Sequence, residues 1–196
     1  MTAGSPSVGR PRSERARVAV LHAVDDLLVD VGYAAMTMKN IAERAGVGRQ
    51  TVYRWWATKA EILFEACVED AGRELASEPG TTTVSDIANF LAALAEFLST
   101  SPAGAAYRAL LGEAQHDPAV AVLLGTVDVL GLGARPVLQR AVDRGDLGPG
   151  AVGEDAVAVA VLVGPLVYRA LTGATTDAVS LDELAAAAAE SLRRLG

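Results

Sequence analysis

The sequence predicts an all-α fold, and three observations point that way. Apolar residues recur at three- and four-residue spacing along most segments, whereas the two-residue alternation of a half-buried strand fails. Stretches such as LAAAAAESLRRL are built from strong helix formers. Turn formers gather in clusters between helical segments, SEPGTTTVS at 77–85 as a boundary and GDLGPG at 145–150 as a loop. About nine helices are expected. A small N-terminal three-helix unit with a helix-turn-helix comes first, followed by a larger helical unit.

The first helix is expected from about Ser13 to Val31. Val20, Leu21, Val24, Leu27, Leu28 and Val31 share its inner face, and Gly32 ends it. Residues 1–12, with Gly, Ser, Pro and two arginines, read as a disordered basic arm that adds weak phosphate attraction. Thr37 suits an N-cap. Met38, Ile41, Ala42 and Ala45 then form the apolar stripe of a second helix, which Gly46 stops. Val47 is placed to plug the turn, and Gly48 or Arg49 opens a third helix.

On that third helix the phases separate. Val52 and Trp56 face inward. Gln50 and Arg54 fall on the opposite side, flanked by Thr51 and Tyr53. An amide, a hydroxyl, a phenol and a guanidinium on one exposed face can all bond to base edges or phosphates. Thr58 reads as the cap of a connecting helix, about Lys59 to Ala76, with Ile62, Leu63, Ala66 and Cys67 on one side.

The second unit is expected after a linker at 77–85, so that the units run over 13–76 and 86–196. Ser85 is read as the cap of a helix ending near Ser99. A helix over about 103–115 ends at His116-Asp117-Pro118. The region from Pro118 to Arg144 is expected to break at Gly131, Gly133 and Pro136. A long apolar helix follows from about Glu154 to Leu171, and Ser180 caps a final helix, 181–195.

The chain has 196 residues, with 51% hydrophobic and 21% charged, a balance that supports a packed core over disorder. The net charge of −7 would argue against a nucleic-acid partner if it were evenly spread. It is not. Residues 1–60 hold 9 Lys/Arg and 5 Asp/Glu, net +4, whereas the remainder holds 8 and 19, net −11. A basic head on an acidic body fits a protein whose head alone meets phosphate. The single cysteine, Cys67, excludes an intrachain disulfide and is expected to be buried. The longest apolar stretch, near 156–167, is shorter than the ~20 residues a bilayer requires. No leader-like run precedes Arg10, so the cytoplasm is the expected location and no membrane partner is expected.

Residues from about Arg15 to Ala71 resemble the DNA-binding domain of the TetR family of bacterial transcriptional regulators. The resemblance rests on VGYAAMTMKNIAERAGVGRQTVYRWWATKAEIL and the amphipathic helix before it. It implies DNA contacts from Thr37, Met38 and Lys39, and base or backbone contacts from Arg49, Gln50, Thr51 and Arg54. It assigns phosphate contacts to Tyr53, Trp55 and Lys59. Two departures stand out. Gly48 occupies a position commonly held by a capping Ser or Thr, and Trp56 replaces the usual Phe.

The resemblance further implies a homodimer through the two C-terminal helices, binding a pseudo-palindromic double-stranded operator. It also implies a small-molecule effector whose binding opposes DNA binding. Candidate pocket residues are Phe64, Phe90, Leu94, Phe97, Tyr107, Leu111, His116, Leu138 and Tyr168, though each taken singly reads first as plain core. With two histidines and no Ser/His/Asp or Cys/His spacing, no catalytic residue, metal site or cofactor is expected. The reading is therefore a ligand-released repressor rather than an enzyme. Its rivals are a regulator that answers to a protein partner, a small all-α enzyme using the C-terminal pocket, and a helical interaction module that never meets DNA.

Overall fold

The computed structural model describes residues 9–152, 157–174 and 180–194, with side chains from Ser13 onward. The described residues form ten α-helices and one short 3-10 turn, Pro149–Val152, without a strand. They divide into two compact units at Ala66/Cys67.

The first unit contains α1 (Gly9–Ala35), α2 (Met38–Arg44), α3 (Arg49–Tyr53) and the first half of α4 (Lys59–Glu74). The helix of α1 starts four residues before Ser13, so residues 9–12 are not the disordered arm expected of them. Pro11 is compatible because the first turn of a helix needs no amide donor. The rest of that expected arm, 1–8, lies outside the described residues. Gly32 breaks α1 with φ 74° and ψ 166°, a conformation that favours glycine. Val20, Val24, Ile41, Val52 and Ile62 are fully buried in the unit's core.

The second unit is organised around α5 (Thr83–Thr100), which packs against α6 (Pro102–Glu113), α8 (Gly131–Asp143), α9 (Val157–Thr172) and α10 (Leu181–Arg193). Ile87, Phe90, Leu91, Leu94, Phe97 and Leu98 on α5 are buried. Each such side chain contributes roughly 1.5–3 kcal/mol of burial. Thr82, not Ser85, caps α5: the Thr82 hydroxyl accepts from the Ser85 amide, and the Ser85 hydroxyl accepts from the Thr82 amide. This capping box moves the helix start into the expected 77–85 linker.

The region is interrupted, but not at Gly133 or Pro136, which lie inside α8; Gly131 is that helix's first residue. The break falls earlier, between α7 (Pro118–Leu124) and α8, where Asp128 accepts from the Gly131 amide at 3.0 Å. Gly133 serves close packing rather than a turn, since a Cβ there would lie 2.5 Å from the Leu75 carbonyl oxygen. Pro136 withdraws one amide, but Leu132 four residues earlier is 41% exposed, so water can take its carbonyl.

Gly104 brings α6 onto the end of α5 by the same device. An added Cβ would sit 1.7 Å from the Phe97 carbonyl oxygen, which is backbone and cannot swing aside. Gly104→Ala is expected to lower stability by about 1–3 kcal/mol through forced separation of the two helices. A thermal melt would read this as a lower Tm. An unchanged Tm would mean that α6 moves off α5 without cost.

Candidate DNA-binding site

Local chemistry sets the angle between α2 and α3. Thr37 is the N-cap of α2: its side chain accepts from the Asn40 amide at 3.2 Å, while Asn40 Oδ1 accepts from the Thr37 amide at 2.8 Å. At the other end Gly46 takes φ 66°. The Val47 amide donates to Ala42 O and the Gly46 amide to Glu43 O, which completes a Schellman motif. Val47 is half-buried in the turn, as its apolar character requires. Gly48 precedes α3 in extended conformation with no side-chain cap, which agrees with the departure noted there.

The short α3 buries Val52, and Trp56 just beyond it is 3% exposed. Arg49, Gln50, Tyr53 and Arg54 are exposed together, with Tyr53 at 55%. Thr51 and Trp55 are half-buried beside them. At the start of α2, Thr37 and Lys39 are exposed and Met38 is half-buried. Lys39 lies 3.9 Å from Glu43, one turn on.

Lys59 is differently placed. Its Nζ donates to Tyr33 O at 2.7 Å and Met36 O at 3.1 Å, and stands 4.1 Å from the Tyr33 ring centroid. Two of its three donors thus fasten the α1–α2 corner, leaving one for an external acceptor.

Several further links were not apparent from the sequence. Trp56 Nε1 donates to Glu65 Oε2 at 2.7 Å, and Arg17 Nε donates to Glu65 Oε1 at 2.6 Å. The indole of Trp56 required an acceptor, but no local pattern identified it. Arg44 pairs with Asp30 at 2.7 Å and Asp26 at 3.7 Å, fastening α2 to α1. The Asp30 hydrogen bond, with the charges of Asp30 and Asp26, outweighs burial and raises the Arg44 pKa above its ordinary value. Arg54 lies with its guanidinium carbon 5.0 Å from the Trp55 ring centroid.

The nine residues expected to line a pocket scatter. Phe90, Leu94, Phe97 and Leu138 are core residues of the second unit, and Phe64 is buried in the first. Tyr107 and Leu111 are half-buried on α6. Burial, with Cys67 and Asp128 nearby, pushes the Tyr107 hydroxyl up to about 12, so it stays a neutral phenol. His116 is exposed in its turn, and Tyr168 is 70% exposed on α9. Exposure removes both from the wall of any cavity within one chain. A cleft of about 440 Å³ is instead lined by Glu74, Ala76, Ala93, Glu96, Phe97, Thr100 and Ser101. Phe97 alone was expected there. Glu74 and Glu96 are exposed beside it and carried no sign of it in the sequence.

Among the described residues, no group of three or more His, Cys, Asp or Glu side chains is arranged to hold a metal ion. None of the described helices is long and apolar enough to cross a membrane.

Residues 20–66 match the family model described as bacterial regulatory proteins, tetR family, and residues 79–188 match the tetracyclin repressor-like C-terminal domain. The chain belongs to the TetR family. As a TetR-family protein it is a DNA-binding transcriptional regulator, and the helix-turn-helix is its reading head. It is similar to YdeS of Bacillus subtilis, an uncharacterised HTH-type transcriptional regulator: 34% identical over 165 residues, covering 83% of this chain and 82% of that one. An uncharacterised HTH-type regulator of Mycobacterium tuberculosis (strain H37Rv) is 30% identical, covering 85% and 79%. Among solved structures, the TetR family transcription regulator SCO0332 superposes with TM-score 0.70 at 26% identity, covering 92% of this chain and 97% of that one.

Proposed function

We propose that this regulator is a homodimeric repressor that grips a pseudo-palindromic operator and lets go when a small molecule occupies its C-terminal unit. The observation that carries the DNA part is the exposed cluster of Arg49, Gln50, Tyr53 and Arg54, set on a helix whose other side, Val52, is fully buried. Gln50 and Arg54 read base edges in the major groove, with Arg49 and Thr51 beside them. Thr37, Met38, Lys39 and Tyr53 position the head on the sugar-phosphate backbone, and Lys59 offers its third N–H to phosphate.

Dimerisation is supported by α9. Val157, Val161, Gly164, Pro165, Tyr168 and Leu171 follow one another along one face, and Val157, Tyr168 and Leu171 are 60%, 70% and 53% exposed. An apolar stripe of this length on a soluble domain seeks a partner. A second copy of α9 and α10 satisfies it by twofold symmetry. The effector's place is the cleft beside α5. Phe97 with Glu74 and Glu96 at hand favours a small amphipathic molecule with a positive charge over an anion. That cleft supports release by a small molecule over release by a protein partner. The protein binds and does not catalyse, and it acts in the cytoplasm.

The test is selection of duplexes from a randomised pool by the full chain, followed by single-base variants of the selected site. Gln50→Ala and Arg54→Ala should each relax discrimination at particular base pairs, costing about 1–3 kcal/mol there. Tyr53→Ala should weaken every duplex alike. Full discrimination in both the Gln50 and Arg54 variants would reject this division of labour.

A further inference from the structure

We infer that Trp55 is a positioning residue that sets the specificity of Arg54: its indole face holds the guanidinium in place before DNA arrives. The inference rests on the proposal that Arg54 reads a base.

The geometry is a continuous stack. Arg54 Cζ lies 5.0 Å from the Trp55 ring centroid, within the range in which a cation is drawn to an aromatic face. Trp55 in turn meets Trp56 edge-on, with centroids 5.3 Å apart and ring planes at 86°, an arrangement that aromatic quadrupoles favour. Trp56 is 3% exposed, and its Nε1 donates to Glu65, whose other carboxylate oxygen accepts from Arg17. The exposed Arg54 guanidinium is therefore tied, ring by ring, to a buried indole with a satisfied hydrogen bond.

Such a tether bears directly on selectivity. An arginine has several rotatable bonds, and ordering it on DNA costs conformational entropy. A guanidinium already ordered loses less of it on binding. The saving depends on the rotamer: it helps at the base pair that this pose can reach and not elsewhere. Trp55 therefore changes discrimination at one position without supplying a phosphate contact of its own. The half-burial of Trp55 fits this better than a backbone contact does, because its indole is committed on one side to Trp56.

The experiment uses the full chain and duplexes selected from a randomised pool by the unaltered protein. Arg54→Ala, Trp55→Phe, Trp55→Leu and the Arg54→Ala/Trp55→Leu pair are compared on every single-base variant and on an unrelated duplex. Leu fills space without a π face, whereas Phe keeps one, so loss of packing is separated from loss of the cation–π contact. Trp55→Leu should lose roughly two- to fivefold in discrimination at the base pair that Arg54→Ala also affects. Affinity for the unrelated duplex and the salt slope should stay unchanged. Trp55→Phe should retain most of the discrimination, and the pair should match Arg54→Ala alone. If Arg54→Ala relaxes one position while Trp55→Leu weakens all duplexes equally, or if the two effects add, the inference is overturned while the reading role of Arg54 stands. If Arg54→Ala relaxes nothing, the reading role fails and the inference fails with it.

Discussion

Asp86→Asn will destabilise the C-terminal unit by about 3 kcal/mol at neutral pH, among the largest effects available to a single isosteric change in this chain. Asp86 is fully buried in α5. Its Oδ1 accepts from the Gly80 amide at 2.7 Å and from Arg140 Nε at 3.0 Å, and its Oδ2 accepts from Arg144 Nη2. One carboxylate thus ties the start of α5 to the segment before it and to two arginines of α8 and its end. Removing one member of a buried ion pair leaves the other charge uncompensated, at about 3–5 kcal/mol. The lower end applies because the side chains of Arg140 and Arg144 are 24% and 30% exposed, and water recovers part of the loss.

The same site fixes a pH dependence. Burial alone would push the Asp86 carboxyl up. The Arg144 hydrogen bond, the Gly80 amide and the charges of both arginines outweigh burial and hold it below its ordinary value of 3.8. A carboxyl depressed in the folded state stabilises the fold above the unfolded value, and that contribution is lost as pH falls through the folded one. Urea midpoints of the unaltered chain and the Asn variant should therefore differ by a constant amount above about pH 5. They should converge as the solution is acidified below 3.8. A gap that persists unchanged to pH 2 would assign the loss to shape rather than charge.

Asp86 also marks where reading the sequence stops. What could be read was whatever a few neighbouring residues decide. Thr37 and Gly46 end α2 by bonds within its own terminal turns, so their residue types announce the helix-turn-helix. Val52 and Trp56 are four apart, and helical periodicity alone sends both inward. The misreadings involve partners far apart in the chain. Asp86 meets Arg140 and Arg144 across more than fifty residues, and in sequence was simply the first residue of a helical body. Gly133 looked like a breaker, yet it is small because the Leu75 carbonyl passes over it. Arg17 reaches Glu65 from 48 residues away. The aromatic and leucine positions of α5 suited core first and pocket second, because periodicity reports burial and not what a residue is buried against. Most of them proved to be core, and the cleft opens beside exposed glutamates instead.

Gly164→Glu is expected to split the proposed dimer and reduce operator affinity by about 100-fold or more, with the protomer still folded. Gly164 lies on the exposed stripe of α9, and a Cβ placed on it meets nothing within 4 Å. Glycine is also the poorer helix former of the two. Within one chain the substitution is therefore tolerated, at the modest cost that Pro165 sets by disfavouring the helical conformation for a non-glycine residue before it. Across a twofold axis it is not, because each copy would bring a carboxylate into an apolar seam opposite its own mate, unpaired and desolvated. The loss of DNA affinity follows from linkage. A dimer delivers its second head at an effective concentration that raises affinity by roughly 10²–10⁴ over one head alone. A monomer forfeits that factor and nothing else, so affinity for an isolated half-site should stay the same. Val122→Glu supplies the comparison. Val122 is 72% exposed on α7, a helix that is not part of the stripe, so the same charge there should leave mass and affinity unaltered. Light scattering and operator titration on the two variants decide the matter. If the Gly164 variant scatters as a dimer and binds as before, α9 is not the seam. If both variants fall apart, added charge and not the stripe is responsible.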